Sequence, residues 1–188
     1  MDITDLKSIL SQSKNTEDVA GVCHFISCSL YLPLNRRESE QEFKVLQSKY
    51  IDVIAELCSC IKYGHSSAIG FALFALWNIA YQNEECTQRM LIESDDIATY
   101  LLNYVHHDVE FIRMNSILLG VLFYEKGMIE LPEQIVTQYE SMCDIALSVK
   151  SNHFDVETVS AGIRSISNII RSTPDLAYVF IHTKRGLY

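Results

Sequence analysis

Glycine and proline are scarce in this chain, with 7 and 3 in 188 residues. An all-β fold full of tight turns depends on these residues, so that class is set aside. Positive charge is also short. Fifteen Lys and Arg face 24 Asp and Glu, for a formal net charge of −9. Binding to a phosphate backbone requires a basic surface, so no nucleic-acid partner is expected. Long hydrophobic runs are missing too. No apolar stretch approaches the roughly 20 residues that span a bilayer, and no membrane partner is expected. The start, Met1-Asp2-Ile3-Thr4-Asp5-Leu6-Lys7, is acidic and lacks the basic segment and long apolar core of a secretory signal.

Chemical signatures are equally absent. There is no Gly-rich phosphate loop and no H-E-x-x-H. No catalytic signature surrounds a cysteine, so the chain is expected not to be an enzyme and to need no cofactor. Cys58-Ser59-Cys60 puts its two sulfurs about 200° apart around a helix, a poor chelate. His106-His107 would need further ligands to hold a metal, and no metal site is expected. The six cysteines, Cys23, Cys28, Cys58, Cys60, Cys86 and Cys143, lie within apolar helical patterns rather than in a disulfide framework. They read as reduced thiols of an intracellular protein, cytoplasmic or nuclear.

What the chain does contain is apolar helix. Hydrophobic residues make up 48% of it, and no segment alternates with period two for long. The spacing predicts helices over about 3–10, from Asn15 or Thr16 to Leu32 before Pro33, and over 50–63. It predicts further helices from Ser66 or Ser67 to Ala80, over 84–94, 97–106, 109–126, from Pro132 to about 150, and over 155–172. The stretch 35–42 reads as an exposed connection or as the first turns of a helix. The helix over 66–80 is apolar on nearly every side, as one buried between neighbours must be.

A pattern repeats along these helices. Ala75-Leu76-Trp77-Asn78-Ile79-Ala80, Ile117-Leu118-Leu119-Gly120-Val121-Leu122 and Ser167-Asn168-Ile169-Ile170 occupy the same setting. Their equivalent points are 42 (78 to 120) and 48 (120 to 168) positions apart. Periods of about 40–47 residues built from two or three helices belong to helical solenoids.

These residues resemble the armadillo-repeat family. Ala75-Leu76-Trp77-Asn78-Ile79-Ala80 is similar to the A-L-W-N-L-A pattern of the family's third helix. Leu91 to Ile97, followed by Leu101-Leu102, is similar to its short-helix joint, with Asp95-Asp96 where Gly-Gly is usual. Asp108-Val109-Glu110 and Asp155-Val156-Glu157 match the start of a third helix. The resemblance covers roughly residues 45–188 and is weakest over 1–44. It implies an all-α fold, a right-handed superhelix of about three to four armadillo-like repeats, in one solenoid domain over 1–188. The architectures it looks like are those of importin alpha and beta-catenin. It further implies that third helices line a concave groove, where Asn78 and Asn168 bond the backbone of an extended ligand.

Helix geometry names the neighbours on that face. Around Asn78 they are Phe71, Phe74 and Tyr81. Around Gly120 they are Arg113, Ser116 and Phe123, and around Asn168 they are Ala161, Arg164 and Arg171. The expected partner-binding set is therefore Phe74, Asn78, Tyr81, Arg113, Ser116, Arg164, Asn168 and Arg171. Its basic end would favour an acidic protein or peptide segment, through charge-assisted hydrogen bonds from arginine. Phe74 stands where importin alpha carries Trp, which sets the pattern closer to the beta-catenin groove. Other readings are a scaffold that self-associates through its terminal repeat, cut short near Gly186-Leu187-Tyr188, and a nuclear transport adaptor. A cysteine-dependent enzyme is the most distant of them.

Overall fold

The computed structural model describes residues 2–35, 39–94, 96–125, 163, 164 and 167. Among the described residues the chain is all-helical: eight α-helices and one 3-10 turn, with no strand. It divides into two compact units, Met1–Tyr100 and Leu101–Tyr188, where the sequence reads as one domain over 1–188. Each unit is described by itself.

The first unit opens with α1 (Ile3–Gln12), closed at its start by a capping box between Asp2 and Asp5. Leu6 and Leu10 are its buried side chains. Helix α2 (Thr16–Asn35) begins where Asn15 Oδ1 accepts the Glu17 amide at 3.1 Å, with Glu17 and Asp18 in the first turn. It passes through Pro33 rather than stopping before it. Proline has no N–H to donate, so α2 gives up one ladder bond in its last turn.

Helix α3 (Glu40–Ser48) starts from a capping box of Ser39 with Glu42, so residues 40–42 of the charged stretch form a first helical turn. Glu40 and Lys44 pair at 2.6 Å along it. The chain then bends at Lys49-Tyr50 and makes a 3-10 turn at Ile51–Val53 before α4 (Ile54–Tyr63). Gly64 ends α4. Its φ of −77° is ordinary, so conformational freedom is not the reason for glycine. A Cβ there would lie 2.3 Å from the Cys60 carbonyl oxygen, closer than any side chain permits.

Helix α5 (Ser66–Ala80) is buried at Ala68, Ile69 and Gly70 and throughout Ala72 to Ala80. It packs against α2, α3, α4 and α6 (Glu84–Glu93), and α1 packs against α2 and α4. Four neighbours are what an all-round apolar helix requires. Lys7 ties α1 down, donating to the Asp52 carbonyl at 3.2 Å and pairing with Glu56 at 3.5 Å.

Helix α7 (Ile97–Tyr104) ends two residues earlier than its pattern suggests, and α8 (Glu110–Glu125) follows. His107 Nδ1 accepts the Val109 amide at 3.0 Å and shapes the turn into α8. In the second unit Leu101, Val105, Ile112, Leu119 and Phe123 are buried. The helix expected from Pro132, most of the one expected over 155–172, and everything after it lie outside the described residues. Residues 163, 164 and 167 are helical. Among the described residues, no helix is long and apolar enough to cross a membrane.

Candidate functional site

Two helices of the first unit build a strip of rings. On α2, His24, Cys28 and Tyr31 recur at helical spacing and share one stripe. On α5, Phe71, Phe74 and Trp77 do the same, and Tyr81, the residue that ends the helix, extends the stripe. The stripes meet. The His24 and Phe71 rings are 4.7 Å apart, tilted 57°. Those of Tyr31 and Phe74 are 5.4 Å apart, tilted 55°. Along α5 the ladder continues from Phe74 to Trp77 at 6.3 Å and from Trp77 to Tyr81 at 5.1 Å. These separations lie within the range of attractive ring contacts.

Both inter-helix pairs advance in the same direction, so α2 and α5 run the same way. The paired residues are 47 (24 to 71) and 43 (31 to 74) positions apart. His24 is exposed, while Cys28, Tyr31, Phe71 and Tyr81 are half-buried. Phe74 and Trp77 form the floor at 8% and 5% exposure. Cys28 Sγ lies 3.3 Å from His24 Nε2.

Beneath the Tyr81 end lies a knot of polar groups. The carboxamide of Gln47, wholly buried, donates to the carbonyls of Asn78 and Tyr81, each at 2.8 Å. Its Oε1 accepts from Asn83 Nδ2 at 3.1 Å. Asn83 in turn caps α6, accepting the Cys86 amide at 3.2 Å. Thr87 Oγ donates to the Asn83 carbonyl at 2.8 Å. Three side chains thus fasten the carboxyl end of α5 to α3 and α6.

Asn78 belongs to this knot. It has no exposed surface, and its Nδ2 donates to the Phe74 carbonyl one turn back at 2.8 Å. Its Oδ1 is buried without a hydrogen-bond partner among the described residues. Phe74 and Tyr81 stand together on the ring strip, joined by Trp77.

The expected residues of the second unit are placed differently. Arg113 is half-buried and donates to the His107 carbonyl at 2.8 Å. Ser116 is buried, and its hydroxyl donates to the Ile112 carbonyl of the same helix at 2.9 Å. Arg164 is exposed on a helical residue, and Asn168 and Arg171 lie outside the described residues. Sequence reasoning missed His24, Cys28 and Tyr31. The available signal was the repeat period, which steps back from Phe71 and Phe74 onto this part of α2.

Elsewhere, charge and burial set the titrating groups. Lys62 pairs with Asp96, which raises the lysine and lowers the carboxyl from their ordinary values. Burial pushes the Cys58 thiol up to about 12 and Cys86 to about 11. Cys23 is raised by its contact with the Cys60 thiol and by burial. Among the described residues no three His, Cys, Asp or Glu side chains converge as metal ligands.

Comparisons with known protein families, with curated proteins and with solved structures find no match to this chain.

Proposed function

We propose that this chain is a non-enzymatic binding module made of stacked three-helix units of armadillo-like type. In this reading it holds an extended segment of a protein partner along its longest helices. The helix order supports it: α3, α4, α5 and then α6, α7, α8 each run as a first, a second and a long third helix. The observation that carries the reading is the pair of ring contacts, His24 with Phe71 and Tyr31 with Phe74. They join two parallel long helices at separations within one repeat period of about 40–47 residues.

Such a strip suits an extended peptide, because half-buried rings recur along it at helical steps. Burial of Asn78 moves the proposed contact from its carboxamide to the rings of Tyr31, Phe71 and Tyr81. Acidic groups on the partner are proposed from the arginines of the second unit, Arg113 and Arg164 among them, apart from the ring strip. Free thiols at Cys23, Cys28, Cys58, Cys60 and Cys86 fit a reducing compartment inside the cell.

The test is a library of extended fluorescent peptides of acidic, neutral and basic composition, screened by anisotropy. A Tyr31→Ala, Phe71→Ala variant should lose at least about tenfold in affinity for the best acidic peptide, given the usual energy of two aromatic contacts. Its circular dichroism should remain helical. Equal affinity in the variant, or preference for basic peptides, would overturn the reading.

A further inference from the structure

Cys28 differs from the other described cysteines. Cys23, Cys58, Cys60 and Cys86 are 0%, 2%, 6% and 0% exposed. Cys28 is half-exposed, and its sulfur faces a ring nitrogen of exposed His24 at 3.3 Å, one helical turn away. A thiol next to an imidazole is the arrangement in which a base takes the thiol proton as sulfur attacks. The surroundings also favour an incoming aromatic group. Cys28 falls between His24 and Tyr31 on one α2 stripe, and these two rings stand against Phe71 and Phe74.

We propose that Cys28 is a thiol-modification site, with His24 as its base, and that it takes low-molecular-weight disulfides carrying an aromatic or apolar group. The site does not depend on the strip's binding a protein segment. With the imidazole proton on Nδ1, Nε2 accepts the Cys28 proton. The thiolate attacks one sulfur of the disulfide R–S–S–R. A Cys28 Sγ–S bond forms and the S–S bond of the reagent breaks. The departing thiolate takes the proton back from His24 and leaves as R–SH. The cysteine sulfur is oxidised and the departing sulfur is reduced, so the exchange needs no other reactant. The group left on Cys28 would cover the rings of the strip, so modification and partner binding would compete.

The experiment uses the full chain and neutral dithiodipyridine, with thiopyridone release followed by absorbance and the modified cysteine located by peptide mass mapping. Cys28 should react faster in the folded chain than in the same chain unfolded in guanidinium, since folding assembles the base and the rings. His24→Gln should slow Cys28 in the folded chain by at least about tenfold, the low end for loss of a positioned base. Phe71→Ala should slow dithiodipyridine more than it slows the small reagent methyl methanethiosulfonate. The proposal fails if folding protects Cys28, or if His24→Gln leaves its rate unchanged. Equal slowing of both reagents by Phe71→Ala would remove the aromatic preference.

Discussion

Gln47 holds the main chain of Asn78: its Nε2 donates to the Asn78 carbonyl at 2.8 Å across 31 positions of sequence. The same nitrogen reaches the Tyr81 carbonyl at 2.8 Å. A helix leaves its last carbonyls without partners inside the helix. Those of α5 end in a buried setting where water is not at hand, and one side chain from α3 serves two of them.

Replacing Gln47 by Leu should therefore be costly although the volume is nearly kept. Two carbonyls and the Asn83 Nδ2 would lose a buried partner, at about 1–3 kcal/mol for each group left unsatisfied. Relaxation will share some of that, and a total of about 3 kcal/mol is expected in urea unfolding. Asn83→Ala removes a helix cap as well as the Gln47 contact, at about 1–2 kcal/mol. The double variant should fall short of the sum by more than about 0.5 kcal/mol, because both changes break one network.

Just beyond the knot, Gln82 adopts a φ of +55° and is exposed. That left-handed conformation costs a side-chain-bearing residue roughly 1–2 kcal/mol. Gln82→Gly should stabilise the chain by about 0.5–1 kcal/mol after the extra freedom of glycine when unfolded is counted. Gln82→Val should destabilise it. Thermal melts of the two variants decide the sign.

Gly64→Ala tests a different requirement. The new methyl would meet the Cys60 carbonyl at 2.3 Å, a backbone atom that cannot swing aside. A loss of about 1–3 kcal/mol is expected, with no accompanying change in helical content. A neutral result would mean that the end of α4 is looser than its hydrogen bonds indicate.

The Lys62 and Asp96 pair gives a pH dependence with a defined sign. Asp96 is lowered from its ordinary value of 3.8, first by the hydrogen bond from Lys62. Its contribution is full above that value and fades as pH falls through the depressed folded value. Lys62 is raised from 10.5, first by the hydrogen bond to Asp96, so its share is full below 10.5 and is lost at higher pH. Asp96→Asn should lower the melting temperature slightly at pH 7 and leave it unchanged in strong acid. Added salt should shrink the difference at pH 7, since the pair is only partly buried.

Local signals in the sequence were legible wherever one residue type decides the outcome. The apolar stripes, the acidic first turn of α2, the glycine after α4 and the all-sided apolarity of α5 each mark an element directly. The break between α3 and α4 was not legible, because Tyr50 and Ile51 keep the apolar spacing while the backbone turns beneath them. Pro33 misled because the ladder bond that proline removes disfavours a helix without forbidding it. Asn78 shows the deeper reason. An asparagine in an apolar helix faces either a ligand or the interior. Its burial comes from packing against helices separate in sequence, which local spacing does not report. The α2 half of the ring strip was hidden likewise, since only packing brings His24 and Tyr31 onto Phe71 and Phe74.

The single tryptophan, Trp77, lies in the floor of the strip against Phe74 and Tyr81, and its fluorescence reports on that floor directly. Titration with the tightest acidic peptide should give a saturable change in Trp77 emission, with the same midpoint as peptide anisotropy. Tyr31→Ala with Phe71→Ala should shift both midpoints together. A peptide that binds by anisotropy while Trp77 emission stays flat, and whose affinity ignores the two alanines, would show that the rings of α2 and α5 are not where this chain holds its partner.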